Sequence, residues 1–172
     1  GVVQGLTEFL PISSSGHLEI SKAIIGNEIS GKESLLFTIV LHFATALSTL
    51  FFFRKDISKI ILGLFDSNNK DSKNFSISIL ISMVPAVFVG LFFEEFINSF
   101  FDGNLILVGC MLYITAILLY LSDIIKLKKN EITLKNSFII GLAQAIAILP
   151  GISRSGATIA TSVMLGIDRE KA

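Results

Sequence analysis

The chain has 172 residues, 52% hydrophobic and 16% charged, and its mean hydropathy of +0.74 excludes an ordinary soluble domain. A formal net charge of zero gives no electrostatic reason to expect nucleic acid as a partner. The one cysteine, Cys110, cannot form an intrachain disulfide and, inside an apolar run, is expected to be a packing residue.

In chain order, Gly1 to Leu10 reads as a short helix stopped at Pro11, because proline disfavours helical geometry in the residue before it. A Pro/Ser/Gly turn and a second short segment, His17 to Ile25, follow. Residues 1–25 are therefore expected to form a re-entrant hairpin. Such irregular backbone is tolerated at membrane depth only where it is buried in protein or lines a wet cavity. Gly26 to Glu33 reads as a polar loop. Residues 35–53, 75–93 and 105–122 are expected as three full transmembrane helices, each near the ~20 residues that a bilayer demands. Pro85 is expected to kink the second. Arg54, Lys55 and Lys59 follow the first span, and Asp66 to Asn74 reads as a loop. Glu94, Glu95 and Asp102 follow the second span, and Lys126, Lys128 and Lys129 the third. Cytoplasmic loops carry the excess of lysine and arginine, so Arg54–Asn74 and Lys126–Lys135 are expected inside. Residues 138–167 are expected as a second re-entrant motif. The chain opens without methionine and stops at Asp168 to Ala172, which reads as the start of another element, so a piece of a longer protein is expected.

The two ends of the chain repeat one another. Shifting GVVQGLTEFLPISSSG by 140 positions, without gaps, lays it on GLAQAIAILPGISRSG with six identities. These are Gly1/Gly141, Gln4/Gln144, Ile12/Ile152, Ser13/Ser153, Ser15/Ser155 and Gly16/Gly156. Three spans between the copies is an odd number, so the copies would enter the membrane from opposite sides. The expected fold is all-α and polytopic, with an inverted-topology repeat whose broken helices meet near the midplane around a binding site. Half-helix N-termini there offer free N–H groups and the positive end of the dipole to an anion.

The polar residues of these motifs are the candidate site. Gln4 and Glu8 are i, i+4 on one helical face, with Thr7 beside them. A carboxylate at bilayer depth costs roughly 3 kcal/mol or more, so Glu8 needs a partner. It reads as a ligand for a divalent cation, as a general acid or base, or as a structural carboxylate bonded across helices. Ser14 and His17, at i, i+3, put a hydroxyl near an imidazole, as nucleophile activation requires, although a helix cap has the same pattern. Arg154, among small residues, suits bidentate capture of phosphate or carboxylate; the competing reading is a salt bridge to Glu8. His42 lies mid-span without a neighbouring polar motif and reads as packing or a helix–helix hydrogen bond. The Phe51–Phe53 run reads as lipid-facing. Inverted repeats and intramembrane charges also suit a transporter or a lipid flippase without chemistry. A purely structural membrane subunit is the third reading.

QGLTEFLPISSSGH together with LPGISRSG resembles the bacterial undecaprenyl-diphosphate phosphatases, also called bacitracin-resistance proteins, over essentially the whole chain. Gln4 stands where many members of that family have Glu, which leaves Glu8 the only carboxylate of the pair. The resemblance implies a hydrolase in the bacterial plasma (inner) membrane, multi-pass, surrounded by membrane lipids and compatible with a homodimer. It would convert a polyprenyl diphosphate to the monophosphate and inorganic phosphate, recycling the carrier lipid for cell-wall synthesis. It further implies Glu8, Ser14, His17 and Arg154 as catalytic residues. Gln4, Ser13, Ser15, Gly16, Gly151, Ser153, Ser155 and Gly156 would bind substrate, and a divalent cation, magnesium or calcium, would be held at Glu8. Ser14 or His17 would attack phosphorus, or His17 would activate Ser14 or a water. The family continues with further helices beyond the second motif.

Overall fold

The computed structural model describes residues 1–26, 31–65, 70–98, 104–125 and 130–172. Its regular structure is helical, as expected: α1 (Val2–Glu8), α2 (Ser14–Ile25), α3 (Gly31–Phe52), α4 (Arg54–Phe65), α5 (Lys70–Phe92), α6 (Glu94–Asn98), α7 (Leu105–Ile124), α8 (Leu134–Ile146) and α9 (Arg154–Met164). Among the described residues the one strand-like contact is an isolated bridge between Asn130 and Ile167.

α5 and α7, of 23 and 20 residues, each have a mean hydropathy of 2.3 and are long and apolar enough to cross a membrane. α3 has 22 residues and contains the apolar stretch Ile39–Phe52. The surface is inverted relative to a soluble protein. Ile106, Phe92 and Phe51–Phe53 are exposed, whereas Ser78, Thr115, Ser137 and Ser162 are buried between helices. Small residues at helix contacts, with large apolar ones outward, are what packing in lipid selects. Cys110 belongs to the outward set: it is exposed on α7 rather than packed inside.

Several boundaries differ from the sequence reading. α1 ends at Glu8, two residues short of Leu10, and α2 begins at Ser14, because Ser13 caps it, instead of His17. α3 already includes residues 31–33, and α5 includes residues 70–74, where Asp71 complements the positive end of the helix dipole. The basic stretch after α3 is itself a helix, α4. Ile57, Ile60, Ile61 and Leu64 recur there at the i, i+3, i+4, i+7 spacing of an apolar face. The loop positions 27–30 and 66–69, and with them Asp102, Lys126, Lys128 and Lys129, lie outside the described residues.

Two helical hairpins, α1–α2 and α8–α9, are held against this frame. α8 runs along α5, and Gly141 makes the approach feasible: a Cβ there would collide with the Ser82 carbonyl oxygen. α7 touches both α2 and α9. A small core of Ala147, Ile152 and Ala157, with Met111 and Leu149 packed on it, sits where α7 meets the second hairpin. Beyond α9, Arg169 reaches the last turn of α7, 2.9 Å from the Asp123 carboxylate and 3.0 Å from its carbonyl oxygen, a cation at the negative end of a helix.

Candidate active site

The repeat seen in the sequence is also a repeat of hydrogen bonds. Ser13 caps α2 by accepting from Gly16 N at 3.3 Å, and Ser153 caps α9 by accepting from Gly156 N at 3.0 Å. Each cap hydroxyl also meets the serine two residues further on, Ser13 with Ser15 at 3.3 Å and Ser153 with Ser155 at 3.2 Å. The turns press on each other reciprocally. A Cβ on Gly16 would lie 3.0 Å from Gly151 Cα, and one on Gly156 would lie 2.8 Å from the Pro11 carbonyl oxygen. Positions 16 and 156, and positions 11 and 151, are equivalent under the 140-residue offset. The contacts therefore exchange as across a two-fold axis, the self-complementary pairing familiar from symmetric dimers. Thr115, 3% exposed on α7, fixes the second turn: its hydroxyl donates to Gly151 O at 3.2 Å and accepts from Ser153 N at 3.1 Å.

A cleft of about 450 Å³ opens between the two turns, lined by Glu8, Ser13, Ser14 and Ser15 from the first hairpin and Gln144, Ser153, Arg154, Ser155 and Thr158 from the second. His42 of α3 also lines it. Its focus is one atom, Glu8 Oε2. Gln4 Nε2 donates to it at 2.7 Å and Ser14 Oγ at 2.5 Å, while His42 Nε2 stands 3.9 Å away. None of the hydrogen bonds among the described residues uses Glu8 Oε1. Gln4 is 1% exposed, and its own Oε1 is buried without a hydrogen-bond partner.

The expected Ser14–His17 pair is not made. Ser14 bonds to Glu8, and His17 turns its Nδ1 to the Ser13 carbonyl oxygen at 2.8 Å. Ser13 has φ 70 and is the one non-glycine residue with positive φ among those described, a conformation costing on the order of 1–3 kcal/mol. The His17 ring and the Ser13 cap hold it there. Its counterpart Ser153 has an ordinary φ of −73, so the two turns are not interchangeable. Arg154 is the exposed first residue of α9, and among the described residues its guanidinium makes no ion pair. The expected alternative, a bridge to Glu8, is absent. Gly16, Gly151 and Gly156 lie behind the cleft wall as close-packing positions, with Gly151 at φ 96.

The family model described as bacitracin resistance protein BacA matches residues 1–172. The chain belongs to the BacA family. Among its curated BacA-family relatives, each named undecaprenyl-diphosphatase, it is 59% identical to that of Christiangramia forsetii, over all of this chain and 65% of the relative. It is 51% identical to that of Bacteroides thetaiotaomicron, over 99% of this chain and 64% of the relative. It is 44% identical to that of Methanococcus vannielii, over all of this chain and 68% of the relative. The chain thus spans about two thirds of the length of the BacA-family proteins it matches.

Sequence reasoning missed Thr115 and Thr158, met Gln144 only as an echo of Gln4, and read His42 as packing or a helix–helix hydrogen bond without placing it at the cleft. His42 had a signal for the cleft: it is the one ionisable residue in the expected span 35–53, and an ionisable residue inside a span is a candidate functional residue. Thr115 had none, since its partners are 36 and 38 residues away.

Proposed function

We propose that the protein hydrolyses a polyprenyl diphosphate, undecaprenyl diphosphate by the names of its relatives, to the monophosphate and inorganic phosphate. This step returns the carrier lipid to cell-wall synthesis and underlies bacitracin resistance. The observation that carries the reading is the 2.5 Å hydrogen bond from Ser14 Oγ to Glu8 Oε2 at the mouth of a cleft whose other wall presents Arg154. A hydroxyl on a carboxylate is a nucleophile with its base in place.

In this mechanism Glu8 takes the Ser14 proton as Oγ attacks the terminal phosphorus. The bond from that phosphorus to the bridging oxygen breaks, and polyprenyl monophosphate leaves. Water then gives its hydroxyl to phosphorus and a proton to Ser14 Oγ, and the Glu8 proton departs with the products. Arg154 grips phosphate oxygens with a planar fork of donors, aided by the Ser153 and Ser155 hydroxyls. His17 holds the strained Ser13 carbonyl and so presents Ser14. Gln4 orients Glu8. The orphaned Gln4 Oε1 and the Glu8 carboxylate are hard oxygen donors of the kind that would hold magnesium or calcium. A cation held there would supply charge neutralisation for the diphosphate.

The membrane arrangement belongs to the same proposal. α3, α5 and α7 span the inner membrane of a multi-pass protein, the two hairpins are re-entrant, and the repeat is inverted. Arg54 to Asn74 and Lys126 to Lys135 face the cytoplasm. The reciprocal contacts of the two turns and the apolar exposed faces of α5 and α7 support this arrangement. The test is phosphate release from a prenyl diphosphate by the full-length protein in detergent, with and without EDTA. Release that EDTA abolishes and magnesium restores is expected. No release, with intact lipid crossing vesicle leaflets instead, would put a flippase in its place.

A further inference from the structure

One ionisable side chain at the cleft has no part in those steps. His42 sits in the middle of α3, between Leu41 and Phe43, in a stretch otherwise without ionisable residues. Its side chain is 44% exposed, so it fills no core. It lines the cleft that holds Ser14 and Arg154, and it comes from a third element, neither hairpin.

The 3.9 Å from His42 Nε2 to Glu8 Oε2 is too long for a hydrogen bond. Ser14 Oγ lies 2.5 Å from that same carboxylate oxygen. Ser14 Oγ and His42 Nε2 thus flank one carboxylate oxygen and line one cleft, the cleft that a phosphoryl group must enter to reach Ser14 Oγ. The Arg154 wall carries a cation for the phosphates; on the opposite wall Glu8 is occupied with the Ser14 proton, and His42 is the nitrogen donor beside it. A donor there adds to the stabilisation of negative charge as it builds on the equatorial oxygens.

We propose that His42 is a catalytic residue that donates from Nε2–H to a phosphoryl oxygen during transfer to and from Ser14. The role rests on the hydrolase reading above and deepens it. The donor acts on charge that develops in the transition state, so its loss lowers kcat and leaves KM nearly unchanged.

The experiment uses the full-length protein and two substitutions. His42→Leu removes the donor and is compatible with an apolar span, whereas His42→Gln keeps an N–H donor. Expected are a kcat lower by about 10- to 100-fold in His42→Leu, a KM within about three-fold, and a melting temperature unchanged. His42→Gln should recover most of the lost rate. Inhibition by vanadate, which mimics pentacoordinate phosphorus, should weaken in His42→Leu and return in His42→Gln. An unchanged kcat in His42→Leu overturns the proposal. So does an equal loss of melting temperature and rate in both variants, which would make the residue structural. If the unsubstituted protein releases no phosphate, the hydrolase reading falls and the His42 role falls with it. An active parent beside an equally active His42→Leu removes the His42 role alone.

Discussion

Glu8 Oε2 collects Gln4 and Ser14 at hydrogen-bond distance, and groups acting on one atom should fail as a unit. Ser14→Ala and Glu8→Gln should each lower kcat by about 10²–10⁴-fold, the range of a general base, and the double substitution should cost little more. Losses that multiply in the double variant would mean the two residues serve separate steps. Arg154 belongs to the other wall. With no ion pair to lose among the described residues, Arg154→Lys should leave the melting temperature unchanged and reduce kcat/KM about 10- to 150-fold through loss of the bidentate fork. A melting temperature that falls in Arg154→Ala and is repaired by Glu8→Gln would make the arginine structural. At this scale the sequence was partly legible. Gln4 and Glu8 paired as their four-residue spacing required. Ser14 and His17 did not, because spacing fixes backbone register, not rotamer. The nearby Ser13 carbonyl offered His17 a local acceptor instead.

The hairpins are fixed by residues that do no chemistry. Thr115 is the clearest, since one hydroxyl on α7 satisfies both a carbonyl and an N–H of the second turn. Thr115→Val keeps the shape but orphans the buried Ser153 N–H, at a cost of about 1–3 kcal/mol. The expected reading is a lower melting temperature that Thr115→Ser restores; equal stability in Val and wild type would show that the turn holds without the hydroxyl. Helix identity was readable from apolar runs and from Pro11. The termini were less so: capping by Ser13 and Ser153 starts α2 and α9 at the residue after each serine. α4 escaped notice because its charged head reads as a loop, although its apolar spacing was present.

For the molecule as a whole, α4 and α6 flank a 23-residue α5, about 34 Å long at 1.5 Å per residue. They should therefore lie on opposite sides of the membrane. After replacement of the exposed Cys110, Lys59→Cys should be shielded from an impermeant outside reagent and Glu95→Cys labelled. The opposite pattern would reverse the orientation. The membrane class was legible because apolar composition is a property of the whole chain, whereas the meeting of the two turns is a tertiary fact that only the repeat hinted at. That meeting has a consequence in time. The halves of the cleft are 140 residues apart, and at roughly 5–20 residues per second a ribosome takes about 7–28 s to cover that interval. Until then Gly16 has no Gly151 to rest against and Pro11 no Gly156. The first hairpin, with its carboxylate, must wait half-built, and assembly of the cleft is a late event of biogenesis that cannot begin before α8 and α9 emerge.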